Sequence, residues 1–123
     1  MKKIHVLLVS KDPGHFAELS QALAEYEQIQ VVSVDSSEQA MFSVKNKMVE
    51  VIVAAEEIRE GSGLAFIREL VKKNPFINCA LVSSLYPHEF HESTEGLGIF
   101  MQLPPHPGAA HAQKLVEHLA GIC

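Results

Sequence analysis

The chain has 123 residues, of which 47% are hydrophobic and 20% are charged, and its formal net charge at pH 7 is −5. This length and composition predict a single domain, 1-123, with a hydrophobic core. The negative net charge excludes the broad basic surface that recruits nucleic acid directly. The apolar stretch near the start ends at Lys11, Asp12 and Pro13, so it is too short for a signal peptide or a membrane span. We therefore expect a cytoplasmic protein with no membrane partner.

Three strands are predicted in the first half of the chain. Ile4–Val9 is a continuous apolar run, which is typical of a strand covered on both faces of a parallel sheet. Gln30–Val34 and Val49–Ala54 are the other two strands. Apolar residues at helical spacing predict a helix after each of the first two strands. These residues are Phe16, Leu19, Leu23 and Tyr26 after an Asp12–Pro13 start, and Ala40, Met41, Val44 and Met48 after the caps Asp35, Ser36 and Ser37.

The second half continues the alternation of strands and helices. Ser62 caps a helix that carries Leu64, Ile67, Leu70 and Val71 and stops before Pro75. Further strands are predicted over Ile77–Ser83 and Ile99–Leu103, with a polar helix over Pro87–Thr94 between them and a last helix over Ala109–Ala120. Cys79 lies in an apolar run and should be buried, and with Cys123 it makes neither a disulfide scaffold nor a zinc spacing.

Strand and helix alternate five times, which predicts an α/β fold with a five-stranded parallel sheet, right-handed crossovers and helices on both faces. In open sheets of this kind, functional residues lie beyond the carboxyl ends of the strands. Those positions are Ser10–Asp12, Ala55–Glu57, Ser83–Ser84 and Leu103–Pro105.

At these four places the chain resembles the response-regulator receiver family. The similarity spans nearly the whole chain, and its landmarks are the segments HVLLVSKDP, VEVIVAAEEIREGSG, ALVSS and GLGIFMQLPP. The spacing of the four segments is more specific than any one of them. The resemblance implies a flavodoxin-like (βα)5 fold with strand order 2-1-3-4-5.

The resemblance also implies which residues stand at the family's functional positions. The two acidic residues that hold magnesium fall on Ser10 and Lys11, and the phosphorylated aspartate falls on Ala55. The hydroxyl residue after strand four falls on Ser83, and the lysine falls on Leu103. Three further positions hold residue types that occur in the family: the cis-proline at Pro104, the switch aromatic at Phe100 and the loop glycine at Gly63.

These replacements would remove the phosphate chemistry while keeping the scaffold. Phosphoryl transfer needs a nucleophile, a divalent cation and a cationic partner for the developing charge. We therefore expect a degenerate receiver that is not an enzyme, holds no metal or cofactor, and acts as a protein-interaction module of a two-component phosphorelay pathway. The vestigial pocket would comprise Ser10, Lys11, Asp12, Ala55, Glu57, Ser83, Leu103 and Pro104.

Two alternatives remain open at this point. Glu56 or Glu57 could make the chain a phosphorylatable receiver or a metal-dependent enzyme, although placing Glu56 at the acceptor position turns the strand over and spoils the Gly63 match. The vacated pocket could instead bind a small molecule. His88 and His91 could share a helix face, but a zinc site needs further ligands that the sequence does not place nearby.

Three side-chain arrangements follow from this interpretation. Lys11 should enter the pocket and pair with Glu57, because carboxylates facing a pocket without magnesium need a counter-charge. Glu56 should point to the opposite side. The Phe100 ring lacks a phenolic oxygen and should be buried toward the interior.

By resemblance, the contact surface should be the fourth helix, the fifth strand and the last helix. Its switch and interaction candidates are Ser83, Phe90, Phe100, Leu115 and Leu119, although any of the four apolar residues could instead belong to the core. The expected partner is a kinase, an effector domain or a regulator, and a homodimer is possible.

Overall fold

The structure is a computed structural model that describes residues 3–122. Its main sheet has five strands: β1 (Ile4–Val9), β2 (Ile29–Val34), β3 (Val51–Ala54), β4 (Asn78–Val82) and β5 (Ile99–Leu103). Five helices connect and follow them: α1 (Ala17–Ala24), α2 (Ser37–Lys45), α3 (Gly63–Lys73), α4 (Pro87–Thr94) and α5 (Ala109–Ile122). A 3-10 turn, Pro13–Phe16, precedes α1, and a small hairpin of Glu57–Ile58 and Gly61–Ser62 lies between β3 and α3.

The five strands are all parallel and are arranged in the order β2-β1-β3-β4-β5, which confirms the expected fold. The register places Val9 beside both Val34 and Ala54, and Val82 beside Leu103. The carboxyl ends of neighbouring strands therefore meet at one edge of the sheet, and the loops that follow them lie close together.

The sheet separates two apolar cores, because successive side chains of a strand point to opposite faces. Val6 and Leu8 of β1 belong to the core beneath α1 and α5. Leu7 and Val9 belong to the core beneath α2, α3 and α4. Cys79 is fully buried in the second core, as predicted, and burial raises the pKa of its thiol to about 12.

The helix termini follow the sequence signals only in part; the first helix, for example, ends at Ala24 and does not reach Tyr26, which was predicted to lie on it. Ser36 and Ser62 accept the capping hydrogen bonds of α2 and α3, as expected. Asp12 accepts a hydrogen bond from the Gly14 amide, but the first turn after it is 3-10 and the α-helix begins only at Ala17. The prediction that Met48 lies on the second helix is wrong. Lys47 adopts a positive φ of 55°, which turns the chain out of the helix, and Met48 is exposed.

Candidate functional site

A cleft of about 620 Å³ opens at the carboxyl edge of the sheet. It lies between the loop after β1, the hairpin after β3 and the segment from β4 into α4. The structure brings together most of the predicted pocket residues here: Ser10, Lys11, Asp12, Ala55, Glu57 and Ser83. Leu103 and Pro104 do not line the cleft.

Ala55 lies directly after β3 and is 2% exposed. Its amide donates to the carbonyl of Val9, which continues the pairing with β1 by one residue. A Cβ built on Gly63 would collide with the carbonyl oxygen of Ala55 and approach Leu81 Cδ1 to 3.1 Å. Only glycine fits this close approach, so the backbone after β3 explains the glycine that the sequence carries at position 63.

Leu103 ends β5 and is fully buried in the same apolar core as Ala55. Its carbonyl accepts a hydrogen bond from the amide of Ser83, which joins the ends of β4 and β5. No peptide bond within residues 3–122 is cis, and this includes the bond between Leu103 and Pro104.

Ser10 and Asp12 shape the loop after β1. The buried Ser10 hydroxyl donates to the Asp12 carbonyl at 2.8 Å and accepts from the Asp12 amide at 3.2 Å. Such local side-chain bonds stabilise a tight turn. The loop therefore holds Lys11 and Asp12 at the surface, where both are exposed.

The predicted ion pair between Lys11 and Glu57 is wrong. Across residues 3–122, no carboxylate lies within ion-pair distance of the Lys11 ammonium. The two residues are joined instead through the backbone, with the Lys11 amide 3.4 Å from the Glu57 carbonyl. Both side chains are exposed. Water can solvate them, so the burial cost that motivated the prediction does not arise.

Glu56 is also placed differently from the prediction. Its carboxylate lines the cleft, and Oε2 accepts hydrogen bonds from both the amide and the hydroxyl of Ser84, each at 2.9 Å. The chain leaves the strand conformation after Ala55 and enters the hairpin at Glu57, so strand alternation no longer decides the direction of Glu56.

Gln102 of β5 holds the same loop from the other side and was missed in the sequence. Its Nε2 donates to the carbonyls of Ser83 and Leu85, at 3.2 and 2.7 Å. The Ser83 hydroxyl in turn accepts from the Leu85 amide at 3.1 Å. The only available signal was one amide residue in the otherwise apolar strand IFMQL.

His15 was missed as well. Its Nε2 is buried without a hydrogen-bond partner among the described residues, and its ring lies 5.0 Å from the ring of His106. Burial, and then the nearby His106, lower the pKa of His15, whereas Asp12 and Glu56 act to raise it. No sequence motif marks this pair, because His106 belongs to the distant loop after β5.

The fold and the position of the cleft can be compared with known proteins. No model of a known protein family and no curated protein matches the sequence. A two-component response regulator from Legionella pneumophila matches with a TM-score of 0.79 and 19% identity, over 98% of this chain and 100% of that chain. The response regulator domain of CheB from Thermotoga maritima matches with a TM-score of 0.76 and 18% identity, over 98% and 96%. The chemotaxis response regulator CheY4 of Vibrio cholerae matches with a TM-score of 0.80 and 13% identity, over 96% and 99%.

This chain has the receiver fold. The predicted resemblance is therefore confirmed for the whole described architecture, including the strand order.

In this receiver fold, three of the predicted surface candidates are core residues. Phe90 is 4% exposed, Leu115 is 1% exposed and Leu119 is fully buried. Their positions on α4 and α5 turn toward the sheet, so for these three residues the alternative that they belong to the core applies. Ser83 is also buried, and its role lies in shaping the loop after β4.

Phe100 is half-buried rather than enclosed in the interior. Its ring stacks on His118 of α5, with ring centroids 4.3 Å apart and an interplanar angle of 4°. The prediction that the ring is buried toward the interior is therefore met only in part: Phe100 packs against the core beneath α1 and α5, and its ring also stacks on His118.

The described part of the receiver fold offers no group of three or more histidine, cysteine, aspartate or glutamate residues that could hold a metal ion. His88, which was considered as a zinc ligand, has its Nε2 atom 3.1 Å from Oε1 of Glu92 on the same helix, α4. Among residues 3–122, no helix is both long and apolar enough to cross a membrane.

Proposed function

We propose that this chain is a receiver-fold module that acts through protein–protein contacts in a two-component signalling pathway and does not itself accept a phosphoryl group. One observation carries the proposal. Ala55 and Leu103, at the positions where the resemblance places the acceptor and the lysine, are both packed into one apolar core. Neither residue can supply the oxygen nucleophile or the cation that phosphoryl transfer requires.

The loop after β1 adds a second argument. The resemblance places the magnesium ligands at Ser10 and Lys11, but Ser10 is engaged with the backbone of Asp12 and Lys11 is an exposed cation. A positive side chain at the edge of the site disfavours a divalent ion. The absence of the metal ligands, the nucleophile and the lysine from the positions that the resemblance gives them supports a role in protein contacts without phosphoryl transfer.

The strongest rival is a chain that is phosphorylated on Glu56 or Glu57. Glu56 lines the cleft, but its Oε2 already accepts two hydrogen bonds from Ser84. Phosphorylation on Oε1 would turn Oε2 into a neutral carbonyl oxygen, so both bonds would lose the strength that the negative charge gives them. Glu57 is exposed at the start of a hairpin, with no described cation held against its carboxylate.

Incubation with acetyl phosphate and Mg²⁺, followed by intact-protein mass spectrometry, tests the proposal. We expect no adduct of phosphoryl mass, while a receiver that retains its aspartate is labelled under the same conditions. An adduct that is lost in Glu56→Gln or Glu57→Gln would establish the rival and overturn the proposal.

A module of this kind would act in the cytoplasm with a kinase, an effector domain or a regulator as its partner. The face of α4, β5 and α5 remains a candidate contact surface. Its usable side chains are the half-buried Phe100, the exposed His118 that stacks on it, and the exposed residues of α4.

A further inference from the structure

The cleft has an apolar floor, formed by Leu81, Phe90 and Ala55, and an apolar lip, formed by Leu85 and Tyr86. Leu81, Phe90 and Ala55 line it and are each less than 6% exposed. Leu85, at the mouth, is 38% exposed, and Tyr86, which follows it, is 78% exposed. A cleft of about 620 Å³ lies within the size range of pockets that hold organic groups, so it can admit an aromatic side chain.

The lip is held in one position by hydrogen bonds from both sides. Glu56 binds Ser84 across the cleft, and Gln102 binds the carbonyls of Ser83 and Leu85 from β5. A surface that is already ordered loses less conformational entropy when it binds a partner. Leu85 and Tyr86 are thus presented in a fixed arrangement.

The charge of the cleft is negative. The carboxylates of Asp12, Glu56 and Glu57 line it against one ammonium group, that of Lys11. Arg68 reaches the α4 side, with its guanidinium group 3.3 Å from the Ser93 carbonyl. The sequence from 74 to 113 has no lysine or arginine, and α4 adds the exposed Glu89 and Glu92. An occupant with positive charge around an apolar group would complement this surface.

An exposed aromatic residue with lysines near it lies at the amino ends of the strands, on the opposite side of the molecule from the cleft. Phe76, between α3 and β4, is 94% exposed and follows Pro75 in a turn closed by the bond from the Ile77 amide to the Asn74 carbonyl. Lys47 and Lys73 line the same hollow as Phe76. The one carboxylate that lines it, Glu50, lies 3.3 Å from His5 Nδ1.

We propose that the cleft receives Phe76 of a second copy of this chain, with Lys47 and Lys73 of that copy facing the carboxylates at the cleft rim. The two surfaces lie at opposite ends of β4, so one molecule can use both at once. Association through two different surfaces runs head to tail and extends into oligomers instead of closing as a symmetric dimer. The proposal names the partner of the interaction module, and its contact surface is small, so the affinity should be weak.

Sedimentation velocity on the full chain tests this, over concentrations from about 10 µM to about 1 mM at low and high salt. We expect the average mass to rise with concentration beyond that of a dimer and to fall when salt screens the charges. Phe76→Ala should weaken the association by at least about tenfold. Because the Phe76 ring is almost wholly exposed, this variant should fold normally. Phe42→Ala, which removes another exposed phenylalanine, on α2, is the matched control and should behave like the unaltered chain.

A charge exchange gives an independent test. Glu57→Lys and Lys73→Glu should each weaken the association, because each places like charges across the contact. A mixture of the two variants should recover it, because the altered cleft of one variant then meets the altered lysine position of the other with opposite charge. A chain that stays monomeric at about 1 mM, an equal loss in both phenylalanine variants, or a closed dimer would overturn the proposal. A phosphoryl adduct would overturn the proposed function without affecting this result, so the two failures are distinguishable.

Discussion

Glu56 joins the loop after β3 to the loop after β4 through its two hydrogen bonds to Ser84. A carboxylate that accepts from an amide and a hydroxyl forms charge-assisted bonds, which are stronger than neutral ones. The connection belongs to the folded chain itself and needs no bound anion. The segment that leads into α4 is therefore fixed in the resting protein.

Glu56→Ala should loosen this segment, because the Ser84 amide loses its acceptor. We expect the opening equilibrium at Ser84 to rise about fivefold, equivalent to about 1 kcal/mol, as measured by amide hydrogen exchange. Gln102→Ala should give a similar effect at Leu85, whereas Glu57→Ala should leave both amides unchanged. Unaltered exchange at Ser84 in Glu56→Ala would show that the bonds do not hold the loop.

Ala55→Asp should not make the chain phosphorylatable, because Leu103 supplies no cation and the exposed Lys11 disfavours a divalent ion. The measurement is the intact mass after incubation with acetyl phosphate and Mg²⁺, with circular dichroism to verify folding. A phosphoryl adduct on this single variant would mean that the missing nucleophile is the only obstacle.

Gly63→Ala should destabilise the fold by about 2–5 kcal/mol, because the added methyl group would overlap the Ala55 carbonyl. Urea unfolding gives the free energy directly. Gly121→Ala is the control: a Cβ there meets no atom within 4 Å, and we expect a change within about 1 kcal/mol. Equal stabilities of the two variants would mean that the backbone at Ala55 can move away from position 63 without a cost in the free energy of unfolding.

The free energy of unfolding should decrease as the pH falls from about 7 toward 5, and His15 should contribute to this decrease. The pKa of His15 is lower in the folded chain than its ordinary value of 6.5. Below that value the unfolded chain binds more protons, so this contribution to stability is present above pH 6.5 and is lost on acidification. His15→Phe keeps a ring at the site and removes the titration. Its stability should vary less with pH, and an identical pH dependence in both proteins would contradict this role.

The sequence alone was enough to predict the parallel sheet and the place of the candidate site, at the carboxyl ends of the strands. Ile4–Val9 and Ile99–Leu103 were placed to the residue, because continuous apolar runs and turn signals reflect local chain preferences. Side-chain partners at the carboxyl edge were predicted less well. The direction of Glu56 depends on a two-residue hairpin, and the position of Gln102 depends on how β5 lies against the loop after β4. Both are contacts between segments distant in sequence, which periodicity does not encode.

Under the proposed function, the burial of Ala55 and Leu103 in one apolar core would make phosphoryl-transfer chemistry difficult to acquire at this site. Functional sites are commonly strained or charged at the expense of stability, and here those positions contribute apolar contacts instead. An aspartate at position 55 or a lysine at position 103 would each put a charge into the core before any activity arose to favour it. A path from this chain to a phosphoryl-accepting site would therefore begin with two destabilising steps.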